Sequence, residues 1–225
     1  MIIGNGLIAN LFRQHDRADV VFFASGVSNS LETNPSAFLR EEQLVRKTIE
    51  EHPRKLFIYF STCSIYDSSK NDSQYVNHKL RMERWVEELC PRYLILRVSN
   101  AVGKGGNPNL LMNYLVNSVL QEKEITVHTL AKRNLIDAED VKDITISLID
   151  KGQYNRIINL AYLENFSTVE ILGVLEEYFD KKAKTQFIKS GQSYLISIPE
   201  VEGYFTGNHL IDKKEYVLRM LKKYY

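Results

Sequence analysis

Three short, unbroken apolar runs set the strongest limit on how this 225-residue chain can fold. They are DVVFFA at 19–24, LFIYF at 56–60 and YLILR at 93–97. A strand that is covered on both faces is apolar throughout, whereas a strand with one wet face alternates. Between these runs, 36–51 and 75–89 carry apolar residues at helical spacing. Strands that alternate with helices predict a parallel sheet with helices on its faces.

The first residues predict a minimal strand, a turn and a helix. Ile2 and Ile3 form the strand, GNG at 4–6 breaks it, and apolar residues recur at helical spacing over 7–12. Glycines at such a turn permit close approach of a diphosphate to the backbone, and Ala9 is small enough for helix–strand packing. Because Gly-x-Gly turns are common, an ordinary strand–helix turn is an equally good interpretation of this segment alone.

Composition excludes several classes of protein. A net charge of +1 argues against nucleic-acid binding, which requires a clear basic surplus. No window approaches the roughly 18 consecutive apolar residues of a membrane span, and the first residues lack the regions of a signal peptide. Two cysteines, Cys63 and Cys90, cannot form a disulfide framework. We therefore expect a cytoplasmic protein without a nucleic-acid or membrane partner.

Two further patterns can carry chemistry. Tyr75 and Lys79 lie four residues apart on one face of a predicted helix, where the ammonium would lower the pKa of the phenol toward working pH. The segment STCSIY at 61–66 follows the second apolar run, so its hydroxyls would lie at the carboxyl edge of the sheet. Each pattern alone also fits a simpler interpretation, a solvated helix face for the first and turn capping for the second.

In their order along the chain, these patterns resemble the extended short-chain dehydrogenase/reductase family of nucleotide-sugar epimerases, dehydratases and reductases. The resemblance covers residues 1 to about 175. It is carried by GNGLIA at 4–9, ASGVS at 24–28, STCSIY at 61–66, YVNHK at 75–79, RVSNAVG at 97–103 and RNLIDAEDV at 133–141. It implies a Rossmann-like sheet, an NAD or NADP cofactor, a sugar-nucleotide or sugar-phosphate substrate and a role in polysaccharide biosynthesis.

Carried over residue by residue, the resemblance assigns catalysis to three side chains. Tyr75 is the acid–base, Lys79 its electrostatic partner and ribose ligand, and Thr62 orients the substrate oxygen. The residues that the resemblance assigns to the cofactor are Gly4, Gly6, Leu7, Ile8, Ala24, Ser25, Gly26, Ser61, Tyr75 and Lys79. The residues that it assigns to the substrate are Ser64, Asn100, Asn109, Leu110 and Arg133.

The chain departs from the family pattern in three places. The second and third strands of the cofactor domain are missing, and with them the residue that reads the adenosine ribose. Cys63-Ser64 replaces the Asp-Glu pair of the dehydratases, which removes the acid that a 4,6-dehydration needs. Few residues follow the last motif. We therefore predict a truncated Rossmann-like parallel sheet at 1–103, with helices on both faces, and a small C-terminal substrate lobe at 104–225, with some chain returning to the sheet around 125–160.

The missing strands raise a question of topology. With the first helix on its usual face, a direct connection from the first strand to the DVVFFA strand is a left-handed crossover, which is rare. We therefore expect either that the helix changes face or that the order of the neighbouring strands is altered.

The function predicted from the sequence is that of an NAD(P)-dependent reductase or epimerase acting on a nucleotide-linked or phosphorylated sugar. Arg13 and Arg17 are nearby charges that could meet a 2′-phosphate, which slightly favours NADP over NAD. The helix at 75–89 forms a dimer contact in the family, which predicts a homodimer. The alternative is a degenerate, non-catalytic member that binds a sugar nucleotide or a protein partner. A catalytic Cys63 is a less favoured variant of the enzyme hypothesis.

The histidines give no sign of a metal site. His15, His52, His78, His128 and His209 are scattered without the spacing of a ligand set, so we expect no bound metal. His78 lies on the predicted helix of Tyr75 but about 100° per residue away from the catalytic face. We expect it at the surface or at an interface.

Overall fold

The computed structural model of the protein describes residues 1–207 and 212–225. The strands are β1 (Ile2–Ile3), β2 (Val20–Phe23), β3 (Leu56–Thr62), β4 (Tyr93–Val98), β5 (Asn100–Val102), β6 (Glu124–His128), β7 (Lys132–Arg133), β8 (Leu135–Asp137), β9 (Arg156–Leu160), β10 (Phe166–Ser167) and β11 (Lys184–Ile188). The helices are α1 (Leu7–Leu11), α2 (Pro35–Glu51), α3 (Gln74–Leu89), α4 (Leu111–Leu120), α5 (Ala138–Asp150), α6 (Thr168–Phe179), α7 (Glu202–Gly207) and α8 (Lys213–Tyr224). No helix within these ranges is long and apolar enough to cross a membrane.

The main sheet is parallel, and its strands lie in the order β1-β2-β3-β4-β9. Every residue of β2 and β3 is buried, as the unbroken apolar runs predict for strands covered on both faces. The predicted α/β class, a parallel Rossmann-like sheet with helices on both faces, is confirmed. The pairs β5–β8, β6–β11 and β7–β10 lie outside the main sheet.

Alternate residues of β2 face two separate helical layers. Val20 and Phe22 belong to the larger hydrophobic cluster, which also contains Phe12 and residues of α4 and α5. Val21 and Phe23 belong to a second cluster, together with residues of α2 and α3. Burial of a side chain of this size contributes about 1.5–3 kcal/mol, so both layers hold the sheet in place.

The connection from β1 to β2 has the opposite hand to the two connections that follow it. All three advance across the sheet in the same direction. α1 contacts α5 and lies on the Phe22 face, whereas α2 and α3 lie on the other face. Keeping the direction while changing the face reverses the hand. With α2 and α3 in the usual right-handed arrangement, β1–α1–β2 is left-handed.

The expectation that the chain would avoid this crossover is therefore wrong. Aromatic packing provides a physical reason, because Phe12 fixes the end of α1 against the sheet. Its ring centroid lies 4.5 Å from that of Phe22 and 5.5 Å from that of Phe60. Since α1 has only five residues, this contact and those with α5 set its position.

Beyond β4 the chain builds further elements and then returns to the main sheet as β9. Hydrogen bonds tie α8 to the start of α5, since the Tyr216 hydroxyl donates to Asp140 Oδ2 at 2.7 Å and accepts the backbone N–H of Asp137 at 2.8 Å. The larger hydrophobic cluster joins residues of the sheet to residues of α4, α6 and α8. A division of the chain at residue 103 into two lobes stays a prediction.

Local capping places the two helices that matter for the site. Pro35 begins α2, and the Asn34 side chain accepts the backbone N–H of Ser36 at 3.0 Å. Ser73 caps α3, which puts Tyr75 and Lys79 in its first two turns. The helices thus begin one residue before the predicted 36 and 75.

Candidate active site

The carboxyl ends of β1, β2, β3 and β4 open into one pocket with a volume of about 640 Å³. Because parallel strands end at a common edge, their following residues meet there, as in other sheets of this type. The lining includes 5–8 after β1, 24–31 after β2, 60–64 around the end of β3 and 98–101 around the end of β4. The predicted site residues in this lining are Gly6, Leu7, Ile8, Ala24, Ser25, Gly26, Ser61, Thr62, Ser64, Tyr75, Lys79, Asn100, Asn109 and Leu110.

Gly4 and Arg133 are the two predicted site residues that lie outside the lining. Gly4 has φ +123°, and a Cβ there would lie 2.5 Å from the carbonyl oxygen of Ala24, so only glycine fits this turn. The Arg133 guanidinium donates to the backbone carbonyl of Gln192 at 3.0 Å and lies 3.6 Å from Asp67 Oδ2. The protein itself therefore engages Arg133, and its role toward substrate stays a prediction.

Tyr75 is buried near the start of α3, and the Thr62 hydroxyl is among the groups that act on its phenol. Thr62 Oγ1 also accepts the backbone N–H of Ser64 at 3.0 Å, which fixes the hydroxyl at the end of β3. Burial raises the pKa of Tyr75, and the Lys79 ammonium and the Thr62 hydroxyl offset only part of that effect. The lowered pKa that the Tyr75–Lys79 spacing suggested is therefore not present, and Tyr75 is a protonated phenol at neutral pH.

Lys79 is 2% exposed, and its ammonium has acceptors within the protein. Nζ donates to Glu41 Oε1 at 3.0 Å, to the Tyr59 hydroxyl at 3.2 Å and to the carbonyl oxygen of Phe60 at 3.5 Å. An ammonium has three protons to donate, so these contacts account for all of them. The side chain is thus held in the pocket floor by α2 and β3.

Glu41, on α2, is the counter-ion of Lys79 and is 0% exposed. Its Oε1 also accepts from the Tyr59 hydroxyl at 2.6 Å, and its Oε2 accepts from the backbone N–H of Val27 at 2.6 Å. Burial by itself would raise the pKa of Glu41, but Lys79, together with donors from His78 and Tyr59, holds this pKa well below its usual range. The site therefore contains a buried carboxylate–ammonium pair.

His78 differs from the prediction that placed it at the surface or an interface. It is buried, with Nε2 3.0 Å from Glu41 Oε2 and its ring centroid 4.8 Å from that of Phe38. The physical reason is that α2 packs beside α3 and covers this side of the helix.

Arg40 and Tyr194 line the pocket but were missed by sequence reasoning. Arg40 lies beside Glu41 in the charged run LREE, which is typical of a solvated helix face. Its guanidinium donates to the backbone carbonyl of Ser25 at 3.0 Å.

Tyr194 follows β11, and the side-chain amide of Asn165 donates a hydrogen bond to its backbone carbonyl at 2.5 Å. Burial raises the pKa of Tyr194 to about 12. Because Tyr194 lies far along the chain from the sequence motifs, no local pattern predicts that it lines the pocket.

The slight preference for NADP has no support in the positions of Arg13 and Arg17. Arg17 donates to Asp150 Oδ1 at 2.7 Å, and Arg13 donates to Asn10 Oδ1 at 2.8 Å. Neither side chain belongs to the pocket lining. Both guanidinium groups are engaged within the protein, away from the pocket.

Cys63 lines the pocket, but its thiol is poorly suited to acid–base chemistry. Sγ donates to the backbone carbonyl of Arg97 at 2.9 Å, and burial raises the pKa of the thiol. Residues 1–207 and 212–225 contain no group of three or more His, Cys, Asp or Glu side chains that could hold a metal ion. His209 lies outside the described residues.

The fold and the pocket define an α/β protein with a Rossmann-like parallel sheet and a Thr–Tyr–Lys group at the carboxyl edge of that sheet. The sequence matches the NAD dependent epimerase/dehydratase family over residues 3–161, and the chain belongs to this family. The resemblance to the short-chain dehydrogenase/reductase type is thereby confirmed.

A curated relative and two solved structures show how far the similarity extends. The uncharacterized protein MJ1055 of Methanocaldococcus jannaschii is 26% identical over 186 residues, and the match covers 73% of this chain but only 57% of that protein. UDP-glucuronic acid 4-epimerase from Bacillus cereus, solved with UDP-glucuronic acid and NAD, is similar in structure with a TM-score of 0.70 and 19% identity, covering 96% of this chain and 79% of the epimerase. MoeE5, solved with UDP-glucose and NAD, has a TM-score of 0.74 and 16% identity, covering 98% of this chain and 84% of MoeE5. Because the two solved structures are only 19% and 16% identical to this chain, their similarity is evidence for its fold alone.

Proposed function

We propose that the protein is an NAD(P)-dependent reductase or epimerase acting on a nucleotide-linked or phosphorylated sugar. The observation that carries the proposal is the convergence of Thr62, Tyr75 and Lys79 on one pocket beside the glycine turn. The similar Bacillus cereus epimerase and MoeE5 were solved with NAD and a UDP-sugar, which supports this choice of cofactor and substrate.

The residues of this chain divide the chemistry between them. Thr62 orients the substrate oxygen, and Tyr75 passes a proton to it from its phenol group. Because Tyr75 is protonated at neutral pH, it starts as a proton donor, which suits a substrate that presents a carbonyl oxygen. Ser64 and Asn100, at the ends of neighbouring strands, are positioned in the same pocket to hold the sugar. The bound nicotinamide would supply the hydride chemistry.

The pocket offers a suitable cradle for part of the cofactor. A Cβ on Gly6 would meet no atom within 4 Å, so the glycine leaves open space where the turn faces the pocket. Ser25 and Gly26 line the same side after β2, and Arg40 brings a positive charge beside them. The strand that normally reads the adenosine ribose has no counterpart between β1 and β2, where the chain forms α1 and a 3₁₀ turn. We therefore propose that the diphosphate half is held better than the adenosine half.

Isothermal titration with NADH and with NADPH should detect binding of a reduced cofactor, and Gly6→Val should abolish it. Gly6 has φ −79° and ψ −172°, angles that valine adopts readily, so the new side chain fills the pocket without straining the backbone. Arg40→Ala, which removes an exposed charge and its hydrogen bonds to Ser25, should weaken binding to a smaller extent. No heat with either cofactor at millimolar concentration, from a wild-type protein shown to be folded, would count against the proposal.

A non-catalytic role is the second candidate, and one observation favours it. The Lys79 ammonium donates to Glu41, Tyr59 and Phe60 within the protein, whereas a ligand of the ribose must donate a hydrogen bond to the cofactor. Such a protein would bind a sugar nucleotide or a protein partner without turnover. Titration of a UDP-sugar alongside a turnover assay separates the two candidates, because only the enzyme converts what it binds.

We also propose that the protein is a homodimer formed through α2 and α3. These helices lie side by side on one face of the sheet, where Leu39 of α2 is 52% exposed and Leu89 of α3 is 49% exposed. Trp85 is partly buried, and the Arg46 guanidinium lies 3.9 Å from its ring centroid. Light scattering should give about twice the 26.1 kDa chain mass, and Leu89→Glu should shift the particle toward the monomer. A 26.1 kDa particle at every concentration would refute the dimer.

A further inference from the structure

The buried pair of Glu41 and Lys79 forms part of the pocket floor rather than part of a distant core. A Cβ on Gly26, which lines the pocket, would lie 2.4 Å from Lys79 Nζ and 2.8 Å from Glu41 Oε1. The backbone N–H of the next residue, Val27, donates to Glu41 Oε2 at 2.6 Å. Glu41 therefore joins the loop after β2 to the helix that carries Tyr75.

We propose that Glu41 is a positioning residue that holds Lys79 in the pocket floor and offsets its charge, and that this adds to the effect of burial in keeping Tyr75 a neutral proton donor. The inference rests on the proposed function in naming Tyr75 the proton donor. No motif pointed to Glu41, because its neighbours in LREE are exposed or partly exposed and only the fold shows which member of the run is buried.

The charges around Tyr75 and Glu41 come from each element packed against them. Lys79 acts on Tyr75 from the same helix, Glu41 acts from α2, and Thr62 and Cys63 act from the end of β3. Around Glu41 the ionisable groups are Lys79, His78 and Tyr59. Beyond His78 lie Glu42 and Arg81, which pair with each other near the surface, and Glu83 adds its charge near Tyr59.

Lys79 and Glu41 act on the phenol of Tyr75 in opposite directions. Lys79 favours the phenolate of Tyr75, and Glu41 disfavours it. Since one oxygen of Glu41 lies 3.0 Å from Nζ, its negative charge offsets part of the effect of the ammonium on the phenol. Removal of the carboxylate alone would leave an uncompensated ammonium beside Tyr75, and the phenol would lose its proton more easily.

Glu41→Gln is the direct test, read by titrating the ¹³Cζ resonance of Tyr75 in tyrosine-labelled protein without cofactor or substrate. The resonance is assigned by its absence in Tyr75→Phe. The midpoint should fall by about 1 pH unit or more, the size of effect that an adjacent opposite charge produces. Glu42→Gln, which removes the neighbouring charge on α2, and Tyr59→Phe, which removes a hydrogen bond but no charge, should not lower it. An unchanged midpoint in folded Glu41→Gln would overturn the proposal.

A second variant keeps the test decisive where Glu41→Gln does not fold. Glu41→Gln/Lys79→Met replaces both charges, so the Tyr75 midpoint should lie within about 1 pH unit of the wild type because the two charges act on the phenol in opposite directions. A midpoint more than 1 pH unit above the wild type would mean that only Lys79 acts on Tyr75, and would contradict the proposal. The titration needs no cofactor, so a protein that binds none would refute the proposed function without deciding this test.

Discussion

Tyr75→Phe is expected to lower turnover by about 10²–10⁴-fold, the contribution that general acid–base catalysis usually makes. The substitution removes one hydroxyl and keeps the ring, which packs with Val76 and Phe38 in a small buried cluster. Stability should therefore change little, because only one hydroxyl is lost and the packing of the ring is kept. The measurement is kcat on a panel of 4-keto and 4-hydroxy nucleotide sugars, together with a urea unfolding curve.

Tyr114→Phe is the matched control for this experiment. It also removes one tyrosine hydroxyl, but Tyr114 is an exposed residue of α4 outside the pocket lining. Its kcat should stay within about twofold of the wild type, since it touches neither the pocket nor the buried pair. Full turnover by Tyr75→Phe, on any substrate that the wild type converts, would show that Tyr75 is not the acid–base.

Lys79→Met is expected to lower the free energy of unfolding by about 3–5 kcal/mol, in addition to its effect on activity. The variant leaves the carboxylate of Glu41 buried without its counter-ion, and such an isolated charge is strongly destabilising. A large part of a typical domain stability of about 5–15 kcal/mol would be lost. Urea unfolding monitored by circular dichroism measures this change.

Two further variants separate charge pairing from loss of packing. Glu41→Gln/Lys79→Met removes both charges and should recover much of the lost stability, because no buried ion remains unpaired. Lys47→Met removes a mostly exposed lysine of α2, whose ammonium lies 3.8 Å from Glu51, and should change stability by at most about 0.5 kcal/mol. A single Lys79→Met variant as stable as the wild type would contradict the ion-pair account. It would also make Lys79→Met a clean probe of catalysis.

The sequence allowed the sheet and most of the pocket to be predicted because both depend on local patterns. Fully buried strands must be apolar throughout, so the runs of β2, β3 and β4 could be located to within two residues. Parallel strands share an edge, so hydroxyls and amides after them had to converge. Tyr75 and Lys79 lie about one helical turn apart on the same face of α3, as their spacing of four residues predicts.

The partners of the catalytic pair could not be predicted, because they depend on packing between distant segments. Glu41 and Lys79 lie 38 residues apart, and their contact requires α2 and α3 to pack at one particular rotation. The same packing buries His78, which spacing alone assigned to the surface. The hand of the β1–α1–β2 connection is likewise decided by the contact of Phe12 with Phe22 and Phe60. No pattern within one segment encodes such choices.

The order of the strands in the main sheet has a consequence for how the chain folds during synthesis. From β1 to β4, each strand pairs with the strand made just before it. The sheet can therefore lengthen at one edge as the chain emerges, and no strand has to insert between two that are already paired. The loops that join β1 to β2, β2 to β3 and β3 to β4 are shorter than the stretch before β9. That strand begins at Arg156, 58 residues after β4 ends at Val98. Because loop closure becomes entropically more costly with length, this order favours assembly of the cofactor side of the pocket before the rest of the chain is available.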